Sequence, residues 1–249
     1  MVARGRVASF YPTYLKTQTM LVILVILAVL LLIFGPQLWI RHVMHKHGHH
    51  LPEIPGTGGE LAQHLIERFG LEGVGVETTE HGDHYDPAAN MVRLSEDIYT
   101  GRSLTAVAVA THEVGHAIQY HRQETITRLR ERYSPLAHVI QKIAVGILLA
   151  APIIATLFKV PHIALITALA GVVAMLTAVL VQLIILPMEW DASFNKAMPI
   201  LIQGEYVREE HFPAVNRILK AAAFTYVAAA LTDMLRLGRW LVILKSAIR

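Results

Sequence analysis

Long apolar runs alternate with one polar interval along the chain, and that alternation sets the first expectations. Residues 20–34 read MLVILVILAVLLLIF and continue into GPQLWI. Residues 143–158 (IAVGILLAAPIIATLF) and 163–187 (IALITALAGVVAMLTAVLVQLIILP) are separated only by KVPH, the pattern of a tight membrane hairpin. About 20 consecutive apolar residues suffice to cross a hydrocarbon core, so each run predicts a span. A shorter stretch, AAAFTYVAAALT at 221–232, is closed by Asp233 and reads equally as a fourth span or a buried helix. The first run is long, no small-x-small cleavage pattern follows it, and Trp39 and Arg41 stand where interfacial anchors are expected. It therefore predicts a retained anchor rather than a cleaved signal. The fold class expected is a mainly α integral membrane protein with three or four transmembrane helices.

The polar interval, about residues 51–134, carries shorter periodicities. TGGELAQHLIERFG (57–70) places Thr57 and Glu60 at capping-box spacing ahead of Leu61, Leu65 and Ile66, and ends at Gly70, predicting a helix. GVGVETT (73–79) and NMVRLS (90–95) alternate as strands do, and they flank the polar loop EHGDHYDPAA. SLTAVAVATHEVGHAIQYH (103–121) begins with Ser103 at an N-cap position and meets no proline until 135, so it predicts a second helix. The organisation expected is a basic extension (1–19), an anchor (20–40), a small α+β insert (41–134), a membrane hairpin (135–187) and a C-terminal helical segment (188–249).

Composition sharpens this picture in two places. Of 249 residues, 54% are hydrophobic, and none is cysteine. Disulfides and thiolate metal sites are therefore excluded, and any metal must rest on His and carboxylate groups. The net charge of +3 is unevenly spread: 41–134 holds 9 basic and 13 acidic residues, while the segments on either side are basic. Basic charge next to apolar runs points to lipid head groups rather than nucleic acid. The tract RHVMHKHGHH (41–50) contains five histidines. No spacing in it fixes a coordination geometry, so it reads as a solvated juxtamembrane linker.

The pentapeptide HEVGH at 112–116 carries the chemistry. Residues four apart on an α-helix present their side chains together, so His112 and His116 can reach one zinc ion at about 2 Å per Zn–N bond. Glu113, offset by about 100°, is placed to act on the catalytic water without occupying the metal. Two histidines packed in a core are the alternative, and a third ligand decides between them. The hairpin would return LPMEWDASFNKA (186–197) to the face holding helix 103–121. Glu189 is the first acidic residue after it, where an unpaired carboxylate is costly. Glu189 and Asp191 can also be read as ordinary interfacial charges. With His112, His116 and Glu189 as ligands, a fourth position stays open, the pattern of a catalytic rather than a structural zinc.

HEVGHAIQ, the preceding DHYDP and VRLSEDIYTGRS (83–87 and 92–103), LPMEWDAS (186–193) and AAAFTYVAAAL (221–231) together resemble the YugP-type neutral zinc metallopeptidases. These are bacterial membrane proteins related more distantly to the HtpX and CAAX-prenyl proteases. The resemblance spans about residues 52 to 236. It implies a zincin-like catalytic insert with Glu189, from the E-[FW]-D-A-S stretch, as third ligand. Residues 1–19 and the histidine tract depart from the family pattern. Phe194 and Asn195 stand where the family commonly shows arginines, which puts any substrate preference carried by that pair in doubt.

Three further positions are candidates for substrate or transition-state contact. A strand around Met91 to Ser95, with Val92 at its centre, would offer an edge for β-addition of a peptide. His84 lies in the turn with Tyr85 and Asp86, where Asp86-Pro87 is a turn signal in its own right. Tyr226 could donate to an oxyanion, although a packed tyrosine with a satisfied hydroxyl explains it as well. The activity expected is zinc-dependent endoproteolysis of membrane or membrane-proximal proteins, with one zinc per chain and Glu113 as general base. The partners expected are a protein or peptide substrate and the lipid bilayer, with no nucleic acid. The location expected is a multi-pass position in the cell membrane with a cytoplasmic active-site face. A non-catalytic zinc-binding scaffold and a metal-handling membrane protein are the rival readings.

Overall fold

The computed structural model describes residues 11–158, 161–225 and 227–228. A 36-residue helix, α1 (Tyr11–Lys46), leads into α2 (Gly58–Arg68). Then come β1 (Gly75–Thr78), β2 (His84–Asp86), β3 (Met91–Leu94) and the single turn α3 (Glu96–Tyr99). The buried helix α4 (Leu104–His121) precedes two long helices, α5 (Thr127–Phe158) and α6 (Pro161–Trp190). A π-helical segment (Asp191–Ala197) continues α6 and is followed by α7 (Met198–Gln203), a 3₁₀ turn (Glu209–His211) and α8 (Phe212–Ala223).

Local chemistry accounts for the ends of the predicted elements. Thr57 Oγ1 accepts from the Glu60 amide at 3.1 Å, and Glu60 Oε2 accepts from the Thr57 amide at 2.7 Å. This closes the capping box at the start of α2. Ser103 Oγ accepts from the Ala106 amide at 3.1 Å and caps α4. β1 starts two residues later than its alternation suggests, because Gly73 turns the chain at φ +80°. Asn90 adopts φ 53° and delays β3 in the same way.

The sheet order is β1-β3-β2. β1 runs parallel to β3 (Gly75 opposite Met91, Thr78 opposite Leu94), and β2 runs antiparallel to it (His84 opposite Arg93, Asp86 opposite Met91). This corrects two expectations. The loop between the predicted strands contains a strand of its own. The segment around Val92 is the middle of the sheet rather than an edge, with both its backbone flanks paired, so a peptide cannot add to it. Val92 is fully buried. Among the described residues, β1 and β2 are the edges.

α4 is the centre of the fold. Every residue from Leu104 to Gln119 is buried, which suits a helix apolar on nearly all faces. It packs against α2, α3, the sheet, the π-helical segment, α7 and α8. The end of α1 docks on its N-terminus: Thr105 Oγ1 donates to the Met44 carbonyl at 2.9 Å, and the Thr105 amide donates to the His47 carbonyl. The histidine tract is thus partly helical and tied to α4.

The expected membrane architecture is corrected. Among the described residues, no helix is long and apolar enough to cross a membrane. The fold is mixed helical with a small three-stranded sheet, and the three or four spans and multi-pass position read from apolar run length do not stand. The ends of those runs serve intramolecular packing. Ile40 and Val43 of α1 join the central core, Val181 and Ile185 of α6 are buried with Tyr133 against them, and Met188 is fully buried. α5 and α6 pack along one another.

Candidate metal centre

His112 and His116 lie one turn apart on α4 with their rings 4.7 Å apart, edge to face. Glu189 enters from the end of α6. Its Oε2 lies 3.1 Å from His116 Nε2 and 3.4 Å from His112 Nε2. All three side chains are buried, and their ligand atoms fall within 4.8 Å of one another. These are the three ligand residues expected from the sequence, brought together across 73 positions of chain. Asp191, the alternative carboxylate, turns away: it accepts from Gln119, Asn195 and Lys196.

The donor set fits zinc. Two imidazole nitrogens and a carboxylate are hard-to-borderline ligands of the kind zinc takes in three-ligand catalytic sites. Glu189 Oε1 is buried with no hydrogen-bond partner; the guanidinium of Arg130 stands 3.9 Å away. A buried carboxylate so poorly satisfied is costly without a cation.

The two buried carboxyl groups are driven in opposite directions. Burial pushes the Glu113 carboxyl up to about 7; His112 and Arg130 oppose the rise, and Glu189 and Asp83 add to it. Burial also acts to raise Glu189, but the facing imidazoles of His116 and His112, when protonated, outweigh it and hold that carboxyl well below its ordinary range. Such divergence separates a group that exchanges protons near neutrality from one that remains an anion.

The site opens into a cleft of about 1360 Å³. His112, Glu113, His116, Glu189 and Arg130 line it, together with His81, Asp83 and His84 and with His45 and His49 of the histidine tract. His84 therefore reaches the cleft, with Nδ1 2.8 Å from the Gly82 carbonyl. Its neighbours are structural. Tyr85 is buried, donates to Asn90 Oδ1 at 3.1 Å and packs on Tyr120. Asp86 accepts from the amides of Ala88 and Ala89 and pairs with Arg93. Val92 is buried in β3 and is not among the residues that line the cleft, and Tyr226 lies outside the described residues.

Sequence reasoning missed the groups behind the ligands. His116 Nδ1 faces Gln119 Oε1 at 2.9 Å, and His112 Nδ1 faces Ser193 Oγ at 3.0 Å. Gln119 was legible as the residue three positions after His116 on the same helical face. Ser193 was not, because it reaches His112 through the π-helical segment. A π turn adds a residue to the helical repeat and is often found at functional sites. Gly115 lets that segment approach: a Cβ there would stand 2.9 Å from the Ala192 carbonyl oxygen.

Comparison with known proteins agrees with this geometry. The family described as "Putative neutral zinc metallopeptidase" matches residues 21–245. The chain belongs to that family. It is 34% identical over 226 residues to a protein of Bacillus subtilis (strain 168) named "Putative membrane protease YugP", an alignment covering 90% of this chain and 96% of the relative. No solved structure matches the chain. Family membership implies zinc, and of the two groups of described residues that could hold a metal ion, the His112, His116 and Glu189 triad is the buried one.

Proposed function

We propose that this chain is a zinc endopeptidase in which His112, His116 and Glu189 hold one zinc and Glu113 is the general base. The observation that carries the reading is the meeting, at one cleft, of a buried three-residue cluster (His112 and His116 from α4, Glu189 from α6) with the buried Glu113 carboxyl of α4. A structural site has no use for Glu113, which speaks against a scaffold.

When bound, zinc supplies a Lewis acid that polarises a scissile carbonyl and acidifies water. Glu113 accepts a proton from the attacking water and returns it to the departing amine; an acid–base group works best when its pKa lies near the working pH. In the metal-free protein, burial raises the Glu113 carboxyl toward neutrality. Arg130, lining the cleft beside Glu189, adds positive charge where a substrate carbonyl would develop negative charge. Of the two sheet edges among the described residues, β2 is the one whose residue His84 lines the cleft. An extended substrate is therefore proposed to pair with β2 instead of β3.

Membrane or membrane-proximal proteins are the proposed substrates. The relative's printed name supports this, as do exposed apolar side chains on α1, α5 and α6, including Leu31, Ile143, Ile166 and Leu180. Extended apolar exposure marks a surface that contacts lipid or protein.

Glu113→Gln is the test. It keeps the shape and the zinc ligands but removes the proton acceptor. Zinc content should be unchanged while hydrolysis of casein or a membrane-protein substrate falls by at least ~10²–10⁴-fold. Near-normal hydrolysis by this variant would defeat the mechanism.

A further inference from the structure

We propose that Gln119 and Ser193 are positioning residues that lock His112 and His116 in the one tautomer able to bind zinc through Nε2. The inference rests on the zinc reading above and goes beyond it, because it assigns roles to residues that touch neither metal nor substrate.

The argument is one of donors and acceptors. Gln119 Nε2 lies 3.0 Å from the Met188 carbonyl and 2.8 Å from Asp191 Oδ2. Both partners only accept, so the amide nitrogen must face them. A flipped amide would set its oxygen against two acceptors in a buried site. The amide oxygen therefore faces His116 Nδ1 at 2.9 Å. That oxygen can only accept, so Nδ1 carries a proton, and Nε2 is the nitrogen whose lone pair binds zinc when the imidazole is neutral.

Ser193 repeats the logic with a single hydroxyl. Its Oγ lies 3.0 Å from the Leu219 carbonyl, which can only accept, so the hydroxyl proton goes there. Ser193 Oγ is left to accept from His112 Nδ1 at 3.0 Å. Both imidazoles consequently aim their Nε2 atoms at Glu189, and in the neutral form those two lone pairs and the carboxylate would hold a cation among them.

The lock is itself clamped. Asp191, which holds the Gln119 amide, also accepts from Asn195 Nδ2 at 2.8 Å and pairs with Lys196. Lys196 reaches Glu124, just beyond α4, at 2.9 Å. The π-helical segment thus carries Asp191, Ser193 and Lys196 on the side facing α4. Neither histidine can reorient without breaking buried bonds.

Gln119→Met preserves length and burial but offers His116 only a weak thioether acceptor in place of the amide oxygen, and Ser193→Ala removes the acceptor from His112. Zinc affinity is read by chelator competition on the full chain, and the imidazole N–H signals by ¹⁵N-histidine NMR of the zinc-loaded protein. In the wild type both Nδ1 protons should be shifted downfield and protected from exchange. Gln119→Met should abolish the signal of His116 alone, Ser193→Ala that of His112 alone, and each should weaken zinc binding ~10–100-fold. A general loss of packing would disturb both signals together, so residue-specific loss distinguishes positioning from mere structure. Should Gln119→Met fail to fold, Ser193→Ala decides. A wild type that binds zinc while the folded variants keep its affinity and spectrum overturns this inference alone. A wild type that binds no zinc overturns the zinc reading and this inference with it.

Discussion

Replacing Gly115 by alanine sets two effects of known sign against each other. In an open helix position, Gly→Ala stabilises by up to about 1 kcal/mol, because alanine loses less backbone entropy. At Gly115 the new methyl would stand 2.9 Å from the Ala192 oxygen, 3.4 Å from its Cα and 3.5 Å from its carbonyl carbon. All three atoms are backbone, in a segment pinned by Ser193 and Asp191, so no side chain can swing aside. Overpacking of this kind costs typically ~1–3 kcal/mol. Gly146 in α5 is the internal control, since nothing lies within 4 Å of a Cβ built there. Gly146→Ala should be neutral or slightly stabilising, and Gly115→Ala should lie ~1–3 kcal/mol below it. Denaturant unfolding of both metal-free variants, compared at a common slope, measures the difference. Because the displaced segment carries Ser193 and adjoins Glu189, Gly115→Ala should also bind zinc more weakly. Equal stability of the two variants would refute the close approach of the π-helical segment to α4.

Glu189→Ala removes a proposed ligand, so its zinc affinity should fall by more than the ~10–100-fold expected for a supporting residue. Full zinc content in that variant would remove Glu189 from the site. Asp86 offers a pH test remote from the metal. Burial acts to raise its carboxyl pKa, but the amides of Ala89 and Ala88 and the Arg93 guanidinium outweigh it, leaving the group below its ordinary value. A depressed folded pKa gives stability that is complete above the unfolded value of about 3.9 and is lost as pH falls through the folded one. The stability gap between the wild type and Asp86→Asn should therefore be constant near neutrality and shrink below about pH 4. A gap that persists undiminished at low pH would show that Asp86 is not stabilised as an anion.

The sequence by itself determined the elements whose signals are local. Thr57 and Glu60 announce α2, Ser103 announces α4, and HEVGH declares its two imidazoles, because caps and i, i+4 spacing act within one or two turns. Glu189 was also legible, as a carboxylate whose position at the end of an apolar helix needed a partner. What depends on the environment of a segment was decided only by tertiary structure. Apolar run length predicted spans, yet it cannot say whether Ile40, Val181 or Met188 faces lipid or the protein's own core. The alternation around Val92 predicted a strand but not its neighbours, and His84–Asp86 became a strand by pairing with it. The alignment of Ser193 with His112 required the π-helical segment and the approach that Gly115 permits. Residues 81 positions apart have no shared periodicity to reveal them; they meet because α4 and the π-helical segment bury their surfaces against each other.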